Sequence, residues 1–169
     1  VTGTGSTDNA SFTITGTTLS TAAVFNFEAK NSYAIRVRVT DAGGLSFERA
    51  FTITVTDVNE APTLTAITDR RVYNVSTSQV VNLAGITAGP ETTQTTTTSV
   101  STSNPTAFSA INIVGTQIQF TLASGIATPQ DVVVTVRVRD NGGLANGGVD
   151  SVVRTFRLGI DPMPVAAAS

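Results

Sequence analysis

The chain has 169 residues, 40% hydrophobic and 13% charged, with a formal net charge of −2: room for one large domain or two of about 85 to 100 residues, and no basic field to draw nucleic acid or an anionic membrane surface. Cysteine and histidine are both missing, which removes disulfides, thiolate and imidazole metal ligands, and the usual general base. No apolar run approaches the roughly 18 residues of a spanning helix, and no charged start precedes a short apolar core, so neither membrane insertion nor a signal peptide is expected. The apolar residues are mainly Val, Ile, Leu and Ala, alongside abundant Thr; β-branched side chains favour strands, and almost no helix is predicted. A chain that starts at Val1 reads as processed or excised from something longer.

In chain order, short strands are predicted at Ser11 to Ile14 and Thr18 to Ser20, followed by a loop through Phe25-Asn26-Phe27-Glu28. Tyr33, Ile35, Val37 and Val39 then alternate with Ala34, Arg36, Arg38 and Thr40 ahead of Asp41-Ala42-Gly43-Gly44-Leu45, and Phe51, Ile53 and Val55 mark a returning strand. Period two with Arg on the alternate positions is a half-buried strand, and the Gly-Gly pair supplies a turn that tolerates positive φ, so this stretch is a hairpin. The Arg stripe is expected to be a solvated face with Thr and Glu across from it.

Next comes Asp57-Val58-Asn59-Glu60-Ala61-Pro62. Two carboxylates and a turn-prone Asn are packed against a Pro that stops any strand, a cluster suited to a hard cation that binds oxygen. Further strands are expected at Leu64 to Ile67, Val72 to Val75, Gln79 to Leu83, Thr95 to Ser101, Ile111 to Val114 and Gln117 to Leu122. Val132, Val134, Val136 and Val138, followed by Asp140-Asn141-Gly142-Gly143-Leu144, repeat the first hairpin at an offset of 99 residues, with Phe156, Leu158 and Ile160 returning. Many short strands with no helical period indicate antiparallel sandwiches of about 100 residues. The expected fold is all-β: two tandem antiparallel Greek-key β-sandwiches, at 1–60 and 61–161, with 162–169 as a linker or terminal arm.

The first of these is short of its early strands. A half-sandwich exposes an apolar face and unpaired edges, which leaves two explanations open: a cut piece of a longer array, or a sandwich completed by strand donation from another chain, giving a homo-oligomer.

The blocks Asn9-Ala10-Ser11-Phe12-Thr13-Ile14, Leu19-Ser20-Thr21, Phe25-Asn26-Phe27-Glu28, Val39-Thr40-Asp41-Ala42-Gly43-Gly44 and Asp57 to Pro62, in that order and spacing, resemble the later part of a bacterial cadherin repeat. The second half, with Ile86 to Glu91, Ser101 to Pro105, and Asp140 to Gly143 through Asn146 to Asp150, is similar to the immunoglobulin-like repeats of large bacterial surface proteins. The resemblance implies an extracellular, secreted or surface-anchored repeat array serving adhesion or matrix structure, partnered by neighbouring repeats of the same or another chain. It also implies calcium at the module junction, held by Glu28, Asp57, Asn59, Glu60 and Asp140. Asn26 stands where the family has a loop acid, Ala61 where it has a late linker Asn, and Glu91 alone represents an acid-rich loop; each departure removes oxygen ligands that calcium needs.

Asp41 and Asp140 are also expected as turn caps, a routine job for Asp before Gly. No paired acids or nucleophile elbow lie outside the turn and junction positions, so the chain is not expected to be an enzyme. Two other readings compete with the adhesive spacer: a self-assembling filament or surface-layer subunit, and an accessory carbohydrate-binding module, which predicts exposed aromatics on one sheet face.

Overall fold

The computed structural model describes residues 1–164; of the expected terminal arm 162–169, positions 165–169 lie outside the described residues. The chain folds as two compact units, Val1–Val58 and the residues from Asn59 onward. Among the described residues, all regular structure is strand apart from three single turns of 3-10 helix at Asn9–Ser11, Pro105–Ala107 and Ala145–Gly147.

The first unit holds two hairpins, β1 (Phe12–Thr15) with β2 (Thr18–Thr21) and β3 (Ser32–Thr40) with β4 (Ser46–Thr54), each antiparallel. Its small core is Ile35 and Tyr33, with the half-buried Phe12 and Phe25 gathered against the Tyr33 ring. Phe25 stacks on Tyr33 at 4.2 Å between ring centroids, and Phe12 meets Phe25 edge-on at 5.4 Å. Such pairs contribute beyond their buried area, and Lys30 lies over the Tyr33 ring while its ammonium bonds to Asp8. On the outer face of the hairpin, Glu48 binds Arg36 and Arg38 at 2.7 and 2.5 Å. The two guanidiniums hold its carboxyl below the usual carboxylate range.

The second unit is a complete two-layer sandwich. One sheet has the order β5 (Arg70–Tyr73), β11 (Ser151–Asp161), β10 (Gln130–Asp140), β7 (Thr96–Thr102); the facing sheet has the order β6 (Gln79–Asn82), β9 (Gln117–Leu122), β8 (Phe108–Val114). The period-two pattern does what period two requires. Val132, Val134, Val136, Val138, Phe156, Leu158 and Ile160 all point inward and are buried against Val81, Ile118, Phe120 and Leu122 of the facing sheet. Pairing is antiparallel except for β5, which runs parallel to β11.

Leu64 to Ile67 is not a strand. Thr63 makes one isolated bridge to Thr87, Thr65 N donates to Ala84 O, and Leu64 is buried in the core, so the stretch packs into the sandwich without joining a sheet ladder. β8 begins three residues earlier than expected, because a bulge between Phe108 and Ala110 breaks the alternation there.

Candidate metal site

The sequence-predicted ligands fall on both units. In the first, Asn26 Oδ1 accepts the Ala29 N–H at 2.7 Å and Asn26 O accepts that of Lys30 at 3.0 Å. This Asx-type turn carries Glu28 exposed at its apex. Asp57 is exposed beyond the end of β4. Asp41 is a turn cap, its Oδ1 accepting the Leu45 N–H at 2.9 Å.

In the second unit, Asn59 and Asp140 meet. β10 ends at Asp140, whose Oδ1 accepts the Gly142 N–H at 3.0 Å and so bends the chain into the Asn141-Gly142-Gly143 turn. Asn59 plugs the inside of that turn. Its Nδ2 is shared among Val149 O at 2.8 Å, Asp140 Oδ1 at 3.0 Å and Gly143 O at 3.2 Å, and its own carbonyl accepts the Val149 N–H at 2.8 Å. Asn59 Oδ1 accepts from Gln94 Nε2 at 2.7 Å. The approach is so close that a Cβ on Gly142 would run into the Asn59 amide, which is why glycine stands there. One residue on, the Glu60 N–H donates to Glu91 Oε1 at 3.0 Å.

The electrostatics of this corner are unbalanced. Asp150, buried nearby in sequence, is matched by Arg139 at 2.7 Å. Asp140 is only 5% exposed and, among the described residues, has amides and no guanidinium or ammonium beside it. Its Oδ2 is buried without a hydrogen-bond partner, and so are Glu91 Oε2 and Gln94 Oε1. A buried acceptor left unpaired costs about 1–3 kcal/mol, more when charged. All three orphans are oxygens, and all belong to residues bonded to Asn59 or to Glu60. That donor set fits a hard cation such as calcium, which takes oxygen only. Asn59 itself faces the turn with its nitrogen, its oxygen being engaged by Gln94.

Gln94 is the residue that sequence reasoning missed. A neutral amide in a Thr-rich stretch carries no motif; the one available signal was its place three residues after Glu91, where the resemblance led us to expect acids.

No protein-family model matches the sequence, and no curated protein matches it. Solved structures do. Human protocadherin-24 EC1-2 (form II) is 14% identical, with 92% of this chain and 78% of that one covered at a TM-score of 0.56. Human mucin-like protocadherin EC1-2 is 18% identical over 90% of this chain and 78% of that one, at 0.44, and Drosophila N-cadherin EC1-4 is 22% identical over 89% of this chain and 38% of that one, at 0.49. The fold likeness rests on the first of these. Together with the strand order above, it gives the chain a cadherin-like β-sandwich fold.

Proposed function

We propose that the chain is a pair of extracellular repeat modules from a bacterial surface protein, structural or adhesive rather than enzymatic, whose second module is of the immunoglobulin-like surface-repeat type and takes calcium at the Asn59–Asp140 corner. The supporting observation is the group of three buried, partnerless acceptor oxygens on Asp140, Glu91 and Gln94. Asp140 and Glu91 are the charged ligands, with Glu60 and Gln94 Oε1 completing the set; Asn59, expected from the resemblance as a ligand, instead braces Asp140 through its amide nitrogen while its oxygen is taken by Gln94. Glu28 and Asp57, which the resemblance also implies as ligands, belong to the first unit. When bound, the ion supplies the positive charge that Asp140 lacks, and adds binding free energy to folding because the unfolded chain has no assembled site.

Among the described residues no helix is long and apolar enough to cross a membrane, which agrees with modules carried outside the bilayer. The test is calcium titration by calorimetry on the full chain, paired with thermal melting in calcium and in chelator. Saturable heat and a higher melting temperature in calcium are expected. No heat, with identical melting in chelator, would end the calcium reading.

A further inference from the structure

The outermost strand of a sheet presents a row of unpaired backbone donors and acceptors, and folded proteins blunt it with short strands, charges, bulges or a covering side chain. Among the described residues the sandwich of the second unit ends in four such strands, β5, β7, β6 and β8, and three of them are blunted. β5 is four residues long and carries Arg70 and Arg71. β6 is equally short, and its Val80 carbonyl is taken by Arg70 Nη1 at 3.1 Å. β8 is bent by the bulge between Phe108 and Ala110. β7 has none of these devices. It runs for seven residues, Thr96–Thr102, with no charge, proline or bulge, and is built of Thr, Ser and one Val.

This edge belongs to the interior of the chain and to a finished sandwich. The chain enters β7 with the Thr95 N–H held by Asn141 Oδ1 at 2.9 Å and leaves it with the Ser103 N–H on Val133 O at 2.9 Å. Bonding alternates along an antiparallel strand. Because Ser103 bonds toward β10, so do Ser101, Ser99 and Thr97, which face Thr135, Arg137 and Arg139. Thr96, Thr98, Val100 and Thr102 therefore aim their N–H and C=O groups out of the sheet.

The row is its own complement. About a twofold axis through Ser99, Thr96 meets Thr102, Thr97 meets Ser101 and Thr98 meets Val100. Each pair sets hydroxyl against hydroxyl or one β-branched side chain against another, and no like charges face each other. Every residue meets one of the same parity, so core-facing and solvent-facing side chains keep their sides. The outward backbone groups of Thr98 in one copy also fall opposite those of Val100 in the other.

We propose that β7 is the contact strand of a symmetric pair: it adds antiparallel to β7 of a second copy of this chain about Ser99, joining the four-stranded sheets of the two copies into one. Main-chain bonds supply the affinity, and the uncharged hydroxyl pattern supplies the register.

The probe is the full chain. With rising concentration, sedimentation should show a reversible monomer–dimer equilibrium, and amide exchange should slow at Thr98 and Val100 but not at Ser99, which already bonds to β10. Two double variants at exposed positions fix the register. Thr97→Glu with Ser101→Glu opposes like charges twice across the axis and should weaken association about tenfold. Thr97→Glu with Ser101→Lys opposes unlike charges and should keep or tighten it. A chain that stays monomeric overturns the proposal. So does protection of Thr98 and Val100 that ignores concentration, since the edge is then covered within one chain. Association that leaves those two amides unprotected, or treats the two double variants alike, also overturns it, because another surface is then responsible. The expected result is the same in chelator as in calcium, which separates it from the cation site.

Discussion

The β3–β4 and β10–β11 hairpins share a strand pattern, a turn motif and a pairing register, but only the second sits in a finished sandwich. Tyr33, Ile35, Val37 and Val39 repeat Val132, Val134, Val136 and Val138; the latter are all buried, while burial along β3 fades from Ile35 toward Val39. Local sequence therefore determines the hairpin, and burial is conferred by the strands that come to lie on it. In the second unit those are β5, β7 and the sheet containing β6. In the first, among the described residues, the segment around Asp8 meets the edge of β3: the Asp8 N–H donates to Ala34 O and Asp8 Oδ2 accepts the Ala34 N–H. Ser103 makes the same pair of bonds to Val133 at the end of β7.

Truncating equivalent aromatics gives the largest expected split. Phe156→Ala should cost about 3–5 kcal/mol in denaturant unfolding of the second unit, and Phe51→Ala about 1 kcal/mol or less in the first; equal losses would mean that the β3–β4 face is covered in solution. Asp140→Asn comes next and is a test of sign. In chelator it should leave melting unchanged or raise it, because it removes an uncompensated buried charge, whereas at free calcium one hundred times the dissociation constant it should forfeit about 2.7 kcal/mol of linkage. Asp41→Asn should show no such dependence on calcium.

The turn glycines follow. Gly142→Ala drives a methyl into Asn59 and should destabilise by about 1–3 kcal/mol. Gly43→Ala meets only Asp41 Oδ1 at 3.3 Å and should be close to neutral. The smallest effect concerns pH. The Glu48 carboxyl is held below its ordinary value of 4.5 by Arg36 and Arg38, so its contribution is present above that value and disappears as pH falls through the lowered one. Glu48→Gln should flatten the acid side of the first unit's melting profile and leave the second unit's unchanged.

The hairpins were legible because period two and Asp-x-Gly-Gly are local signals. The full extent of β8 was not, since the bulge at Ser109 shifts the alternation, and Leu64 to Ile67 read as a strand although its backbone bonds go to Ala84 O and the Arg154 side chain. At the site, Asp41 and Asp140 stand in the same motif. Only the tertiary placement of Asn59 beside one of them turns a solvent-facing cap into a buried carboxylate. The exposed Phe47 and Phe51 lie on one sheet face, the arrangement a carbohydrate-binding module would show, whereas Phe156, the counterpart of Phe51, is buried in the second unit's core.

The parallel pairing of β5 with β11 joins the first strand of the second unit to its last: Arg70 to Tyr73 run beside Leu158 to Asp161, and the Arg71 guanidinium grips Asp161 at 2.6 Å. Tension applied to the two ends of that unit pulls these neighbours past each other lengthwise, so their bonds share the load and rupture together instead of unzipping one at a time. A force-bearing tether needs that behaviour from each link.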